Sequence, residues 1–211
     1  MRNVLKSLLL ILSIQSLFAG SACKSPINGN VAPDSFLQEL ITWANQAPNQ
    51  VFESNPKSDV YSFSKAKLAP NGWKNLKHRK AAMLEVMRNL ASWESSYSWK
   101  AGIDTQNASS AKNKCNEEAG IFQTSANIMA FDKSLKDLFD KRCRQQYSGN
   151  SDCIKFIKCS KDPHADHTFT IEVTALGLRQ TIRHWGPLLN KNKVYRGLSA
   201  ACVKEFEQKL L

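Results

Sequence analysis

Beyond Ile14 the chain has no apolar run approaching the roughly 20 residues that a membrane-spanning helix needs, so the body of the protein is expected to make no stable membrane insertion. Acidic side chains are also scarce: 18 Asp and Glu stand against 29 Lys and Arg, for a formal charge of +11. A balance of that sign favours polyanions, whether nucleic acid, anionic lipid or the anionic bacterial wall. An exposed basic amphipathic helix, which a membrane-active cation requires, is missing, because the helical patterns described below read as packed. Two cysteine pairs at metal-ligand spacing are missing as well. His164 and His167, three residues apart and near cysteines, therefore do not complete a zinc site, and Asp166 reads as a helix cap instead. No metal and no cofactor are expected.

What is present begins with an export signal. Arg2 and Lys6 precede the apolar run from Leu8 to Ile14, and the small residues Gly20 and Ala22 stand where a signal peptidase cuts, so residues 1–22 read as a signal peptide. The mature part, 23–211, is long enough for one domain with a substantial core. Export removes nucleic acid as the natural target of the positive charge and leaves the wall. Six cysteines, Cys23, Cys115, Cys143, Cys153, Cys159 and Cys202, form an even set that could close three disulfides in any of fifteen pairings. Cys23 directly after the cut also suggests a lipoprotein, but Gly20 stands where such signals carry leucine. An odd cysteine would then be left over, and a secreted or periplasmic, oxidised protein is the preferred reading.

Along the chain, 31–45 has a helical pattern with Asp34 as the expected N-cap and Phe36, Leu37, Leu40, Ile41 and Ala44 facing a core. The stretch 46–73 is rich in Pro, Asn and Ser and reads as a long ordered loop or short helical turns. From Asn75 to Trp93 proline and glycine vanish and Leu76, Ala81, Leu84, Met87, Leu90 and Ala91 recur at helical period, with Met83 and Met87 as core filler. The polar run from Asp104 to Asn116 fits a loop or small β-hairpin over a cleft. Residues 132–142 read as a short helix presenting Leu135, Leu138 and Phe139. A further helix is expected from about His167 to Trp185, with Ile171, Ala175, Leu178, Ile182 and Trp185 on one face and Phe169, Val173 and Leu176 on a second, which makes it the central buried helix. A last helix, 199–210, carries Cys202.

Two short segments carry the chemistry. Trp93-Glu94-Ser95-Ser96-Tyr97 ends the long helix in a carboxylate, where the helix dipole and the neighbouring indole both favour its protonated form. Glu117-Glu118-Ala119-Gly120-Ile121-Phe122-Gln123 brings a carboxylate pair before a glycine and a glutamine. Cleaving a glycosidic bond takes one protonated carboxyl for the leaving oxygen and, in most enzymes, a second group on the opposite face of the ring.

These segments resemble the lysozyme superfamily, which holds chicken-type and goose-type lysozymes and bacterial lytic transglycosylases. Glu94 with its following serines is similar to the helix-ending catalytic acid of that group, and Glu118 to Gln123 is similar to the Asp-Tyr-Gly-Ile-(Phe/Leu)-Gln and Gly-Leu-Met-Gln segments. The likeness extends to secreted bacterial proteins with a Glu-Ser-Ser-(Trp/Tyr) motif, a group that includes an enzyme of predatory bacteria acting on deacetylated peptidoglycan. The sequence departs from the family in several places. Thr124-Ser125 replaces the Val-Asp of goose-type enzymes, the connection between motifs is longer than in chicken-type enzymes, and no Ala-Tyr-Asn motif is present.

The resemblance implies a mainly α, lysozyme-like α+β domain with a central buried helix and a small loop or β-hairpin region lining a cleft, divided into an N-terminal extension (23–74) and a catalytic core (75–211). It implies a monomeric muramidase or lytic transglycosylase acting on the peptidoglycan polysaccharide. Glu94 would be the general acid and Glu118 the second carboxylate, with Ser95, Tyr97, Gln123, Ser125, His184 and Trp185 against substrate. The alternative is a non-catalytic peptidoglycan-binding or lysozyme-inhibitory protein on the same scaffold.

Overall fold

The structure, a computed structural model, describes residues 22–54, 59–102, 113–162, 167–180 and 196–211. It is mainly α. Among the described residues seven α-helices run from Asp34–Gln46 (α1), Val60–Leu68 (α2), Leu76–Ser95 (α3), Lys133–Arg142 (α4), Asp152–Lys161 (α5), Thr168–Gln180 (α6) to Ala200–Lys209 (α7). β structure among them is confined to two isolated bridges, Lys24 with Val31 and Ala119 with Thr124. The expected hairpin over 104–116 falls largely outside the described residues.

Most helix starts are set by a side-chain cap that takes up an otherwise unsatisfied backbone N–H. Asp59 accepts from Ser62, Asn75 from His78, Asp132 from Ser134 and Ser199 from Cys202. At α1 the cap is Pro33, not Asp34. Asp34 is already helical and sits in the first turn, where its charge suits the dipole. The Pro- and Asn-rich stretch before α3 contains a full nine-residue helix, α2, where only turns were expected.

The long helix α3 is enclosed on more than one side, with 14 of its 20 residues buried, including Met83 and Met87. Its setting is one of two apolar cores. The larger gathers α1, α2, α3 and α7 around Phe36, Leu40, Leu84, Leu90, Val203 and Phe206. The smaller gathers the turn Ala126–Ala130 with α4 and α5 around Leu135, Phe139, Phe156 and Phe169. α6 stands between them: Ile171, Ala175 and Leu178 belong to the first core, Phe169 and Val173 to the second. The two faces expected of this helix serve different cores, and its expected continuation to Trp185 lies outside the described residues.

Three disulfides, Cys23–Cys202, Cys115–Cys153 and Cys143–Cys159, use all six cysteines, the chemistry of an oxidising compartment outside the cytoplasm. The Cys23 sulfur is bonded to Cys202, so it is not free for a lipid thioether; the lipoprotein alternative does not fit this fold. Among the described residues no helix is long and apolar enough to cross a membrane.

Candidate active site

The first motif closes α3 in an unusual way. Ser96 and Tyr97 are both left-handed, at φ 50° and 67°, and the backbone N–H groups of both reach back to the carbonyl of Ala91. L-residues with a Cβ occupy this region at a cost of about 1–3 kcal/mol each. The Tyr97 ring, 8% exposed, packs 5.6 Å from Phe36, and its hydroxyl accepts a 3.0 Å bond from Arg88 Nη1. Arg88 is fully buried. Its guanidinium also meets Glu85 through Nε at 2.6 Å and Nη2 at 2.8 Å, and donates to the carbonyl of Gly197 at 2.7 Å. Glu85 in turn accepts from the backbone of Ser199 at 2.6 Å. Burial opposes charge on Arg88, but the Glu85 carboxylate outweighs it and holds the guanidinium protonated, above its ordinary pKa. The strained helix end is thus moored to α3 itself and to the segment leading into α7.

The second motif is a tight loop. Ala119 and Thr124 exchange backbone bonds at 3.2 Å, and Gly120 to Gln123 form the turn between them, closed by two bonds from Gln123, backbone N–H at 3.1 Å and side-chain Nε2 at 2.9 Å, to the Gly120 carbonyl. Gly120 has φ 73°, and a Cβ there would lie 2.2 Å from the Ser160 carbonyl oxygen, so only glycine fits. Gln123 is itself left-handed at φ 47°. Ile121 and Phe122 are fully buried and anchor the loop in the larger core.

The fold brings these two segments into direct contact. Ser95 Oγ donates to the Ile121 carbonyl at 2.7 Å and accepts from Ser98 N–H at 3.1 Å. Gly120 N–H donates to the Ala101 carbonyl at 2.9 Å, and Phe122 meets Phe36 and Trp99 at 6.0 and 6.3 Å. Among the described residues the three non-glycine positions with positive φ, Ser96, Tyr97 and Gln123, all fall in the two motifs.

Glu94 and Glu118 are both half-buried, Glu94 one residue before Ser95 and Glu118 at the base of the loop. Glu117 is tied to Lys114 at 2.6 Å. Ser95, Tyr97 and Gln123 use their polar side-chain atoms within the protein, and the Ser125 hydroxyl bonds Asn127 Oδ1 at 2.6 Å. His184 and Trp185 lie outside the described residues, as does His164. His167, considered above with His164 as a zinc ligand, stacks on Trp99 with ring centroids 3.6 Å apart and bonds Glu39 through Nδ1 at 2.6 Å.

Comparison of the chain with protein-family models, curated proteins and solved structures finds no match. Sequence reasoning missed Glu85 and Arg88, because charged residues inside a helix read as its wet side. Glu85, Arg88, Asn89 and Ser92 recur at helical period and make a polar stripe, which in this fold is buried.

Proposed function

We propose that the protein cleaves the β-1,4 bond of peptidoglycan glycans, as a muramidase or lytic transglycosylase of lysozyme-like fold, with Glu94 as the proton donor. The observation that carries this reading is the Ser95–Ile121 bond, which locks the helix end bearing Glu94 against the Gly120 to Gln123 loop, with left-handed non-glycine residues on both sides of the joint. Backbone strain of this kind collects where a fold must hold a reacting group in place. In the proposed reaction Glu94 protonates the glycosidic oxygen as the bond to the anomeric carbon breaks and positive charge develops on the ring. Glu118 steadies that charge or positions water, which gives hydrolysis. With Glu118 out of reach, a hydroxyl of the substrate closes on the anomeric carbon, gives its proton to the Glu94 carboxylate left by the first step, and leaves an anhydro product.

A non-catalytic wall-binding protein would share the basic charge but has no use for an acid at a strained helix end. Glu94→Gln separates the two. Loss of a general acid should lower wall lysis about 10²- to 10⁴-fold, and lysis equal to wild type would end the catalytic reading. Mass analysis of fragments released from acetylated and deacetylated peptidoglycan then reads the product chemistry and substrate preference.

A further inference from the structure

A groove of about 580 Å³ lies between the α2–α3 connection and one face of α7, within the size range of small-ligand sites. It is remote from the candidate active site. His78, which lines it, and Glu94 are 16 positions apart on α3, about 24 Å along the helix axis at 1.5 Å per residue.

Its floor is apolar, formed by the buried side chains of Leu68 and Val203. One wall is Trp73, half-exposed and fixed in orientation by two neighbours: the Arg79 guanidinium lies over the ring at 5.2 Å and the His78 ring meets its edge at 5.9 Å. Arg79 is itself held by the Phe52 carbonyl at 2.6 Å, and His78 Nδ1 accepts from Lys74 N–H at 3.3 Å. The aromatic plate is therefore set before any ligand arrives, which lowers the ordering cost of binding. The rim mixes signs and roles, with Lys204, Glu207 and Gln208 from successive turns of α7 and Asn71 and Lys74 from the connection.

We infer that this groove is a second, non-catalytic glycan site for an N-acetylated amino sugar of the wall polysaccharide. A pyranose has an apolar C–H face that suits an indole, and hydroxyls that both donate and accept, matching amides and a carboxylate beside an ammonium. A phosphate, or the carboxylates of a peptide stem, would meet the Glu207 carboxylate as well as Lys74 and Lys204. The inference takes its substrate class from the proposed function and is independent of the catalytic step. Such a site keeps the protein on an insoluble polymer between cleavage events.

The test titrates tetra-N-acetylchitotetraose into the Glu94→Gln protein and follows the indole N–H resonance of Trp73, assigned with Trp73→Phe. The resonance should shift on titration, and the shift should be lost in Glu94→Gln/Ala200→Trp, where a bulky side chain at an exposed position fills the groove without disturbing the packing of Trp73. In the otherwise wild-type chain, Ala200→Trp should reduce retention on insoluble peptidoglycan at least tenfold and leave cleavage of soluble fragments unchanged. A Trp73 resonance unmoved at saturating sugar, or a shift that survives the Ala200→Trp change, overturns the site. If the groove binds sugar while Glu94→Gln lyses walls like wild type, the groove stands and the catalytic reading falls; a dead Glu94→Gln with an unresponsive Trp73 gives the reverse.

Discussion

Arg88 shows how much one buried side chain can be asked to hold. It has no solvent contact, bonds Glu85 through two nitrogens and reaches the Tyr97 hydroxyl and the Gly197 carbonyl. Removing one member of such a pair leaves its partner charged and dry, which costs about 3–5 kcal/mol, whereas replacing both with apolar groups is often neutral. Arg88→Met should therefore lose about 3–5 kcal/mol in urea unfolding, and Glu85→Leu/Arg88→Met should recover most of it. The double variant still lacks the anchor on Tyr97, so under the proposed function it should be folded yet slow, with kcat lowered more than KM is raised. A double variant that lyses walls at the wild-type rate would show that the mooring serves stability alone. At this scale the sequence singled out the segments that meet, Glu94 at a helix end and Gly120 with Gln123 in a family-like segment, but not the tight loop that the latter form. What Ser95 and Tyr97 do was not legible. Their bonds run to Ile121 and Arg88, and which atoms a side chain meets depends on residues distant in the chain.

Among the elements, α1, α3, α4 and α7 could be read from the recurrence of apolar residues at helical period, and at α3, α4 and α7 a capping side chain stands at the start. The double patterning of α6 was legible too, and the fold gives the reason, since each face meets a different core. α2 and α5 were not read. Serine and lysine break the apolar stripe of the first, and the second is a short segment in which lysines and cysteines alternate with few apolar residues. The end of α5 carries its own titration. Tyr147 donates to Asp162 Oδ2 at 2.7 Å, and partial burial together with that carboxylate pushes its phenol up to about 12. A phenol whose folded pKa lies above its unfolded value near 10 contributes stability below about pH 10 and loses it as pH rises through 12. Burial also holds the Tyr61 phenol well above its ordinary value, so absorbance titration should show late-ionising tyrosine of which a component near pH 12 is missing from Tyr147→Phe; an unchanged late component in Tyr147→Phe would contradict the contact.

For the whole molecule, covalent closure matters as much as packing. The bonds Cys143–Cys159, Cys115–Cys153 and Cys23–Cys202 span 16, 38 and 179 residues, and chain entropy alone assigns them about 3, 4 and 5 kcal/mol of stabilisation. Cys23→Ser/Cys202→Ser should accordingly unfold at lower urea than Cys143→Ser/Cys159→Ser, and the opposite order would show that local geometry outweighs loop length here. The long bond also joins the first described turn of the chain to α7, the last helix on which the larger core depends. Synthesis delivers the chain from its N-terminus, so Cys23 waits for its partner until 179 further residues have followed it. The bond then acts as a timer. Until Cys202 has been made, the clasp that joins the first described turn to α7 cannot close, and the larger core waits on it.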